Sequence, residues 1–166
     1  EATAGGFEGE WLFTADLAVP EIFDAAGADL LNGRAYVEFA DADNSLDEYK
    51  AFEALHIEKA GGEPGPFAAN SFDMINLIAL SLEASGQCSG EGINSVIRNV
   101  ADGEFAVSTF ADGKAAVAAG EDINYEGASG PLVFDESGTV AGAYTIQAAE
   151  GGEWVNTKFY PASSFE

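Results

Sequence analysis

Residues 70–85 constrain the fold of this chain more than any other stretch. Apolar side chains occupy most positions around a helical axis there, and between residues 72 and 84 only Asp73, Asn76, Ser81 and Glu83 interrupt them. A helix that is apolar on so many sides has to be buried. We therefore predict a helix over 70–85 that is packed against a sheet.

The first 40 residues predict what kind of sheet this is. A short apolar run at 11–14 is followed by Pro20, which suits the first turn of a helix, and by Gly27, which ends it. Alternation over 33–39 then predicts a second strand. A strand, a helix and a strand in so short a span indicate an α/β unit with parallel strands.

Residues 124–138 predict a β-hairpin that is entered from a Gly-rich loop. The apolar run 132–134 precedes a turn signal, because Asp135 can bond the backbone two residues on and Gly138 can adopt a positive φ. The second run, 140–146, would supply the returning strand. Many folds contain such a hairpin, so the pattern alone does not choose among them.

The charge of the chain excludes several classes of partner. The sequence has 29 acidic and 6 basic residues, a net charge of −23, and the acids are scattered and not gathered in a tail. Nucleic acids and anionic membranes would be repelled, because binding them requires basic patches. Repulsion among so many acidic side chains destabilises the folded state at low salt, and salt screens it. The composition therefore favours a halophilic or saline source over an ordinary acidic secreted protein.

The sequence offers little for catalysis or metal binding, so we expect neither an enzyme nor a cofactor. His56 and Cys88 are the only residues of their types, which leaves no set for nucleophilic catalysis and none for structural zinc. The acidic stretch 41–48 lacks the Gly at the sixth position and the Glu at the twelfth position that an EF-hand calcium loop uses. Ser45 with Glu48 three residues later predicts a capping box instead. Cys88 could be a buried free thiol or could pair with a cysteine outside the chain.

Three stretches resemble one known family. Residues 120–138 resemble its Gly-x-x-Ile-x-Tyr-x-Gly-Ala-Ser-Gly followed by Phe-Asp-x-x-Gly. Residues 68–80 resemble its long helix, which is usually opened by Tyr-Asp-Ala, and 11–33 resemble its strand and helix before the second hinge. Together they resemble the C-terminal half of a type I periplasmic solute-binding protein, in the branched-chain amino acid (leucine/isoleucine/valine-binding) family of ABC transporters.

The resemblance implies an α/β fold of the type I periplasmic-binding-protein class, with two Rossmann-like lobes and a hinge. Only the C-terminal half would be present: residues 1–37 and 144–166 would belong to lobe 2, and 38–143 to lobe 1. The family's N-terminal half has no counterpart, so the resemblance implies a fragment or one of two associating pieces.

The resemblance also implies two ligand-binding residues. Asp16 matches the acidic position after the first strand, where the family pairs a carboxylate with the ligand's ammonium group; many members carry Glu there. Phe67 matches an aromatic residue that lines the cleft before the long helix. From the residues alone, a turn carboxylate and a core-packing ring are the alternatives.

The function implied is the extracytoplasmic substrate-binding component of an ABC transporter. It would bind a branched-chain or similar small amino acid in the cleft between the lobes and would deliver it to a membrane permease. Its location would be periplasmic or extracellular, although no signal peptide is present in these residues. The alternative is a structural or surface-assembly protein that reuses half of a binding protein.

Overall fold

The computed structural model describes residues 7–165, which form two compact units. The first unit comprises 7–40 and 144–160, and the second comprises 41–143 and 161–165. In the described residues, no helix combines the length and apolar character that crossing a bilayer requires.

Helices and strands are numbered along the chain. The strands are β1 (Trp11–Phe13), β2 (Ala35–Asp41), β3 (Phe105–Val107), β4 (Ile123–Tyr125), β5 (Ala143–Glu150) and β6 (Glu153–Tyr160). The α-helices are α1 (Glu21–Ala26), α2 (Ala28–Leu31), α3 (Asp47–Ala60), α4 (Ala68–Ser85), α5 (Gly90–Ala101) and α6 (Phe110–Ala119). Short 3₁₀ turns cover Ala15–Leu17 and Ala162–Ser164.

The first unit is built on a sheet of order β1-β2-β5-β6. β1 and β2 run parallel, with Trp11 opposite Ala35, and α1 and α2 lie between them in sequence. The predicted strand–helix–strand unit is therefore confirmed, with Pro20 before α1 and Gly27 after it at φ 92°. The core of this unit includes Phe23, whose ring lies 5.2 Å from that of Trp154.

The second unit is dominated by α4, which packs mainly against α5 and α6. Its core takes residues from these helices and from the parallel pair β3–β4. The core residues are Leu77, Leu80, Val100, Ala101, Val107, Ala116, Ile123 and Tyr125. The helix was predicted correctly. The sheet predicted to cover it contributes only β3 and β4, strands of three residues each, so α5 and α6 supply most of the contacts to α4.

The hairpin prediction is confirmed at its turn and only partly in its strands. Asp135 Oδ1 accepts a hydrogen bond from the Thr139 N–H at 2.7 Å, and Gly138 adopts φ 88°. The bond from Thr139, together with one from the Ser137 hydroxyl, stabilises the charged carboxylate and lowers the pKa of Asp135. A single bridge, Phe134 opposite Val140, replaces the first strand, and the returning strand begins only at β5.

One local prediction was wrong, and one of the two alternatives open for Cys88 is excluded. Ser45 does not cap α3, because its hydroxyl donates to Asp43 Oδ1 at 2.6 Å and its N–H binds the same oxygen. The side chain of Asp43 thus closes a turn before the helix begins. Cys88 is exposed and not buried, since the loop that carries it lies on the surface between α4 and α5.

Candidate functional site

Asp16, which the resemblance matches to the acidic position that pairs with a ligand's ammonium group, lies in the short turn that follows β1 of the parallel pair. Its 3₁₀ turn, Ala15–Leu17, is closed by a hydrogen bond from the Leu17 N–H to the Thr14 carbonyl oxygen at 3.0 Å. The carboxylate is exposed and forms no ion pair or hydrogen bond with a described residue. Ligands of α/β folds bind outside the carboxyl ends of strands, and Asp16 is free to accept bonds there.

Phe67 stands immediately before α4 in an unusual backbone conformation. Its φ of 63° and ψ of 2° make it the one residue other than glycine with a positive φ among residues 7–165. A phenyl ring is costly there, since the left-handed region strains any residue with a Cβ. The ring is 45% exposed, so core packing does not explain it. Such strain is typical of residues held in place for a ligand.

Comparing Phe67→Gly with Phe67→Ala tests this strain. Both variants remove the ring, but only alanine keeps the Cβ that the left-handed conformation disfavours. We expect the glycine variant to be more stable by about 1 kcal/mol in urea denaturation. At an ordinary position the order is reversed, because glycine gains more entropy on unfolding. An alanine variant as stable as the glycine variant would contradict the strain.

Asp73, in the apolar helix α4, is a buried acid whose carboxylate is bonded to four donors. It is 1% exposed. Oδ1 accepts from the Tyr125 hydroxyl at 3.0 Å and the Ala128 N–H at 2.8 Å. Oδ2 accepts from the Ser129 N–H at 2.6 Å and from its hydroxyl at 2.5 Å. Four donors fill the acceptor capacity of a carboxylate, so Asp73 joins α4 to the Gly-rich loop.

The residues around the Asp73 carboxylate allow the Gly-rich loop to approach it and complete its hydrogen-bond network. A Cβ added to Gly127 would lie 2.4 Å from the Asp73 carboxyl group, so glycine alone lets the loop approach. Asn76 donates to the Tyr125 hydroxyl at 3.0 Å and completes the network. Burial, with the nearby charge of Asp73, raises the pKa of Tyr125, which stays protonated as a donor.

The Asp73 network positions the 127–130 loop; its oxygens are already occupied, so it offers no acceptor to a ligand. Sequence reasoning did not predict this network, although a signal was present. An acid in the middle of an otherwise apolar helix requires buried donors. The small residues of the Gly-rich loop are suited to supply them from the backbone.

The structure places the two predicted ligand-binding residues in different units. Asp16 belongs to the first and Phe67 to the second, and both are exposed. Within residues 7–165 there is no group of three or more His, Cys, Asp or Glu side chains placed to hold a metal ion. The His56 ring nitrogen lies 3.0 Å from the Gly62 carbonyl oxygen at the end of α3.

Comparison with known proteins assigns the chain to a family. Residues 11–151, from β1 to the turn after β5, match the model described as the receptor family ligand binding region. The chain belongs to this family. No curated protein matches it by sequence.

Several solved structures are similar to this chain in fold. The leucine binding protein LivK of Thermotoga maritima matches with a TM-score of 0.66 at 20% identity, over 99% of this chain and 41% of LivK. LivJ of Streptococcus pneumoniae is a branched-chain amino acid transporter substrate binding protein solved with isoleucine. It matches with a TM-score of 0.57 at 18% identity, over 94% of this chain and 40% of LivJ. A putative branched-chain amino acid ABC transporter of Rhodospirillum rubrum matches with a TM-score of 0.51 at 16% identity, over 93% of this chain and 39% of the transporter chain.

These matches confirm the predicted fold class, an α/β type I periplasmic-binding-protein fold of which only part is present. The chain spans about two fifths of the length of the solved structures it matches. The resemblance read from 11–33, 68–80 and 120–138 is likewise confirmed, because the family match covers all three stretches.

Proposed function

We propose that this chain is part of the substrate-binding component of an ABC transporter, and that the complete protein binds a branched-chain or similar small amino acid. One observation carries the proposal. The chain belongs to a ligand-binding family, and nearly its whole length aligns with a leucine binding protein. The proposed role is binding and delivery, without catalysis.

In this proposal the chain contributes to both lobes of the complete protein. Residues 1–37 and 144–166 belong to lobe 2, and 38–143 belong to lobe 1. The ligand lies in the cleft between lobes that close by hinge motion, as in other two-lobed binding proteins. Further polypeptide, corresponding to the part of the solved relatives that this chain does not match, completes both lobes.

Asp16 and Phe67 are the proposed contacts to the amino acid. The exposed carboxylate of Asp16 accepts from the ligand's ammonium group, which needs a counter-charge once closure removes water. The Phe67 ring, which is 45% exposed, offers an apolar surface to an aliphatic side chain. A carboxylate and an apolar ring match the two ends of leucine, isoleucine and valine.

The proposed partner in the membrane is the transporter's permease, and the proposed location is periplasmic or extracellular. The net charge of −23 suits a halophilic proteome, in which salt screens the repulsion among acids on the surface.

Isothermal titration calorimetry of the complete protein with leucine, isoleucine and valine tests this function. We expect saturable 1:1 binding of at least one of them. N-acetyl-leucine is the matched control, because it keeps the side chain and carboxylate but lacks the ammonium group; we expect it not to bind. Absence of binding to all three amino acids would overturn the proposal and favour the surface-assembly alternative.

A further inference from the structure

The connection between α2 and β2 contains a chemically reactive pair, Asn32–Gly33. The sequence has eight asparagines, and Asn32 alone is followed by glycine. Asparagine is a labile residue, because the backbone nitrogen of the next residue can attack its side-chain amide. Glycine has no side chain to hinder that approach. The sequence therefore favours loss of a side-chain amide at Asn32 more than at any other asparagine of this chain.

The reaction is a hydrolysis in two steps. The Gly33 nitrogen, after it loses its proton to base, forms a bond to Cγ of Asn32. The bond from Cγ to the side-chain nitrogen breaks, and ammonia leaves with the proton, which gives a cyclic imide. Water then opens either of the two C–N bonds of the ring. The products are aspartate and isoaspartate, and water is the only co-reactant consumed.

In the folded chain, the β5–β6 hairpin holds both reacting groups. The Gly33 N–H donates to the Ala149 carbonyl oxygen at 2.8 Å. Asn32 Oδ1 accepts from the Gly152 N–H at 3.1 Å, and Gly152 lies in the turn between β5 and β6. The ring nitrogen of a cyclic imide carries no hydrogen. The bond from Gly33 to Ala149 and the closed ring therefore exclude each other.

The β5–β6 turn that holds Asn32 is a segment that can open by itself. It consists of Gly151 and Gly152, which adopt φ 63° and φ 87°, and Gly151 is exposed. Exposed turns with few apolar contacts open at low free energy, without unfolding of the core. Gly33 is exposed as well, and Asn32 is half-buried, so water reaches the site once the turn detaches.

We infer that Asn32 is a site of spontaneous deamidation whose rate is set by detachment of the β5–β6 turn. Detachment frees the Asn32 amide and permits the Gly33 nitrogen to leave Ala149. The isoaspartyl product routes the main chain through the former side chain and lengthens the connection from α2 to β2 by one carbon. Gly33 then no longer faces Ala149 in register, so the turn does not return to its original place. This modification is independent of ligand binding.

Peptide mass spectrometry of the complete protein tests the inference. The protein is incubated folded and in guanidinium at the same mildly alkaline pH, and chromatography separates the aspartyl and isoaspartyl forms of the peptide that contains Asn32. We expect conversion in the folded protein to be about 100-fold slower, since it waits for local opening. Incubation lasts many half-lives of the unfolded reaction, so that product from the folded protein is measurable. Equal rates would overturn the control by the turn, and an unconverted Asn32 in guanidinium would overturn the site.

Gly152→Ala separates opening of the turn from global unfolding. An added Cβ has room, 3.6 Å from the Ala28 Cβ, but the positive φ disfavours it. We expect this variant to speed conversion in the folded protein about 10-fold, which corresponds to about 1.4 kcal/mol.

Gly61→Ala is the matched control for the Gly152 variant. Gly61 has a φ of 80° and open space around it, at the end of α3 in the second unit. We expect this control to leave the conversion of Asn32 unchanged. Equal acceleration by both variants would assign the reaction to global unfolding, and no acceleration by Gly152→Ala would likewise overturn the role of the turn.

Discussion

Replacing Asp73 with Asn is expected to lower the free energy of unfolding of the second unit by about 3 kcal/mol. The substitution is nearly isosteric, so it leaves no cavity. It replaces one carboxylate oxygen with an NH₂ group, which would face N–H or O–H donors of Tyr125, Ala128 or Ser129. Charge-assisted hydrogen bonds are lost and at least one buried donor is left without an acceptor.

Urea denaturation followed by circular dichroism measures this loss. Asp122→Asn is the matched control, because it removes the same charge from an exposed position in the same unit. In a chain of net charge −23, that control should be neutral or slightly stabilising. Equal stabilities of the two variants would show that Asp73 does not hold the loop to α4.

Replacing Asp16 with Asn is expected to weaken leucine binding by the complete protein about 100-fold, which corresponds to about 2.7 kcal/mol. Asn keeps the shape and an acceptor oxygen, so the loss measures the charge opposite the ligand's ammonium group. The free protein should be unaffected, because the Asp16 side chain is exposed and makes no bond to another described residue.

Calorimetry with leucine reads out the affinity, and thermal denaturation without ligand reads out the fold. Asp24→Asn, which removes an exposed charge from α1 in the same unit, is the control for the change in net charge. An affinity equal to that of the unaltered protein would reject the role of Asp16, while an equal loss in both variants would indicate a general electrostatic effect.

The ends of several elements could be predicted from single residues. Gly27, Gly61 and Gly120 each adopt a positive φ at a helix end. In the predicted turn Gly138 has the expected positive φ, and the Asp135 carboxylate bonds the backbone, although at Thr139, four residues on. Such signals act within a few residues, so they survive in any tertiary context. The capping box at Ser45 failed because Asp43, two residues away, competed for the same groups.

The strands β3 and β4 escaped prediction because three residues show no clear periodicity. Their identity as strands depends on pairing with each other across the 15 residues that separate Val107 from Ile123, which no local pattern records. The same holds for the Asp73 network, whose donors lie 52 to 56 residues along the chain.

The sequence by itself therefore determined the α/β class and the burial of α4 on most of its sides, because apolar periodicity and turn chemistry are local properties. The family was indicated separately, by the resemblance of three stretches to known sequences. Only the tertiary structure decided which elements cover α4, where the Asp73 carboxylate finds its four donors, and that Phe67 is held in a left-handed conformation. These depend on contacts between distant segments, whose geometry is fixed only when the chain is folded.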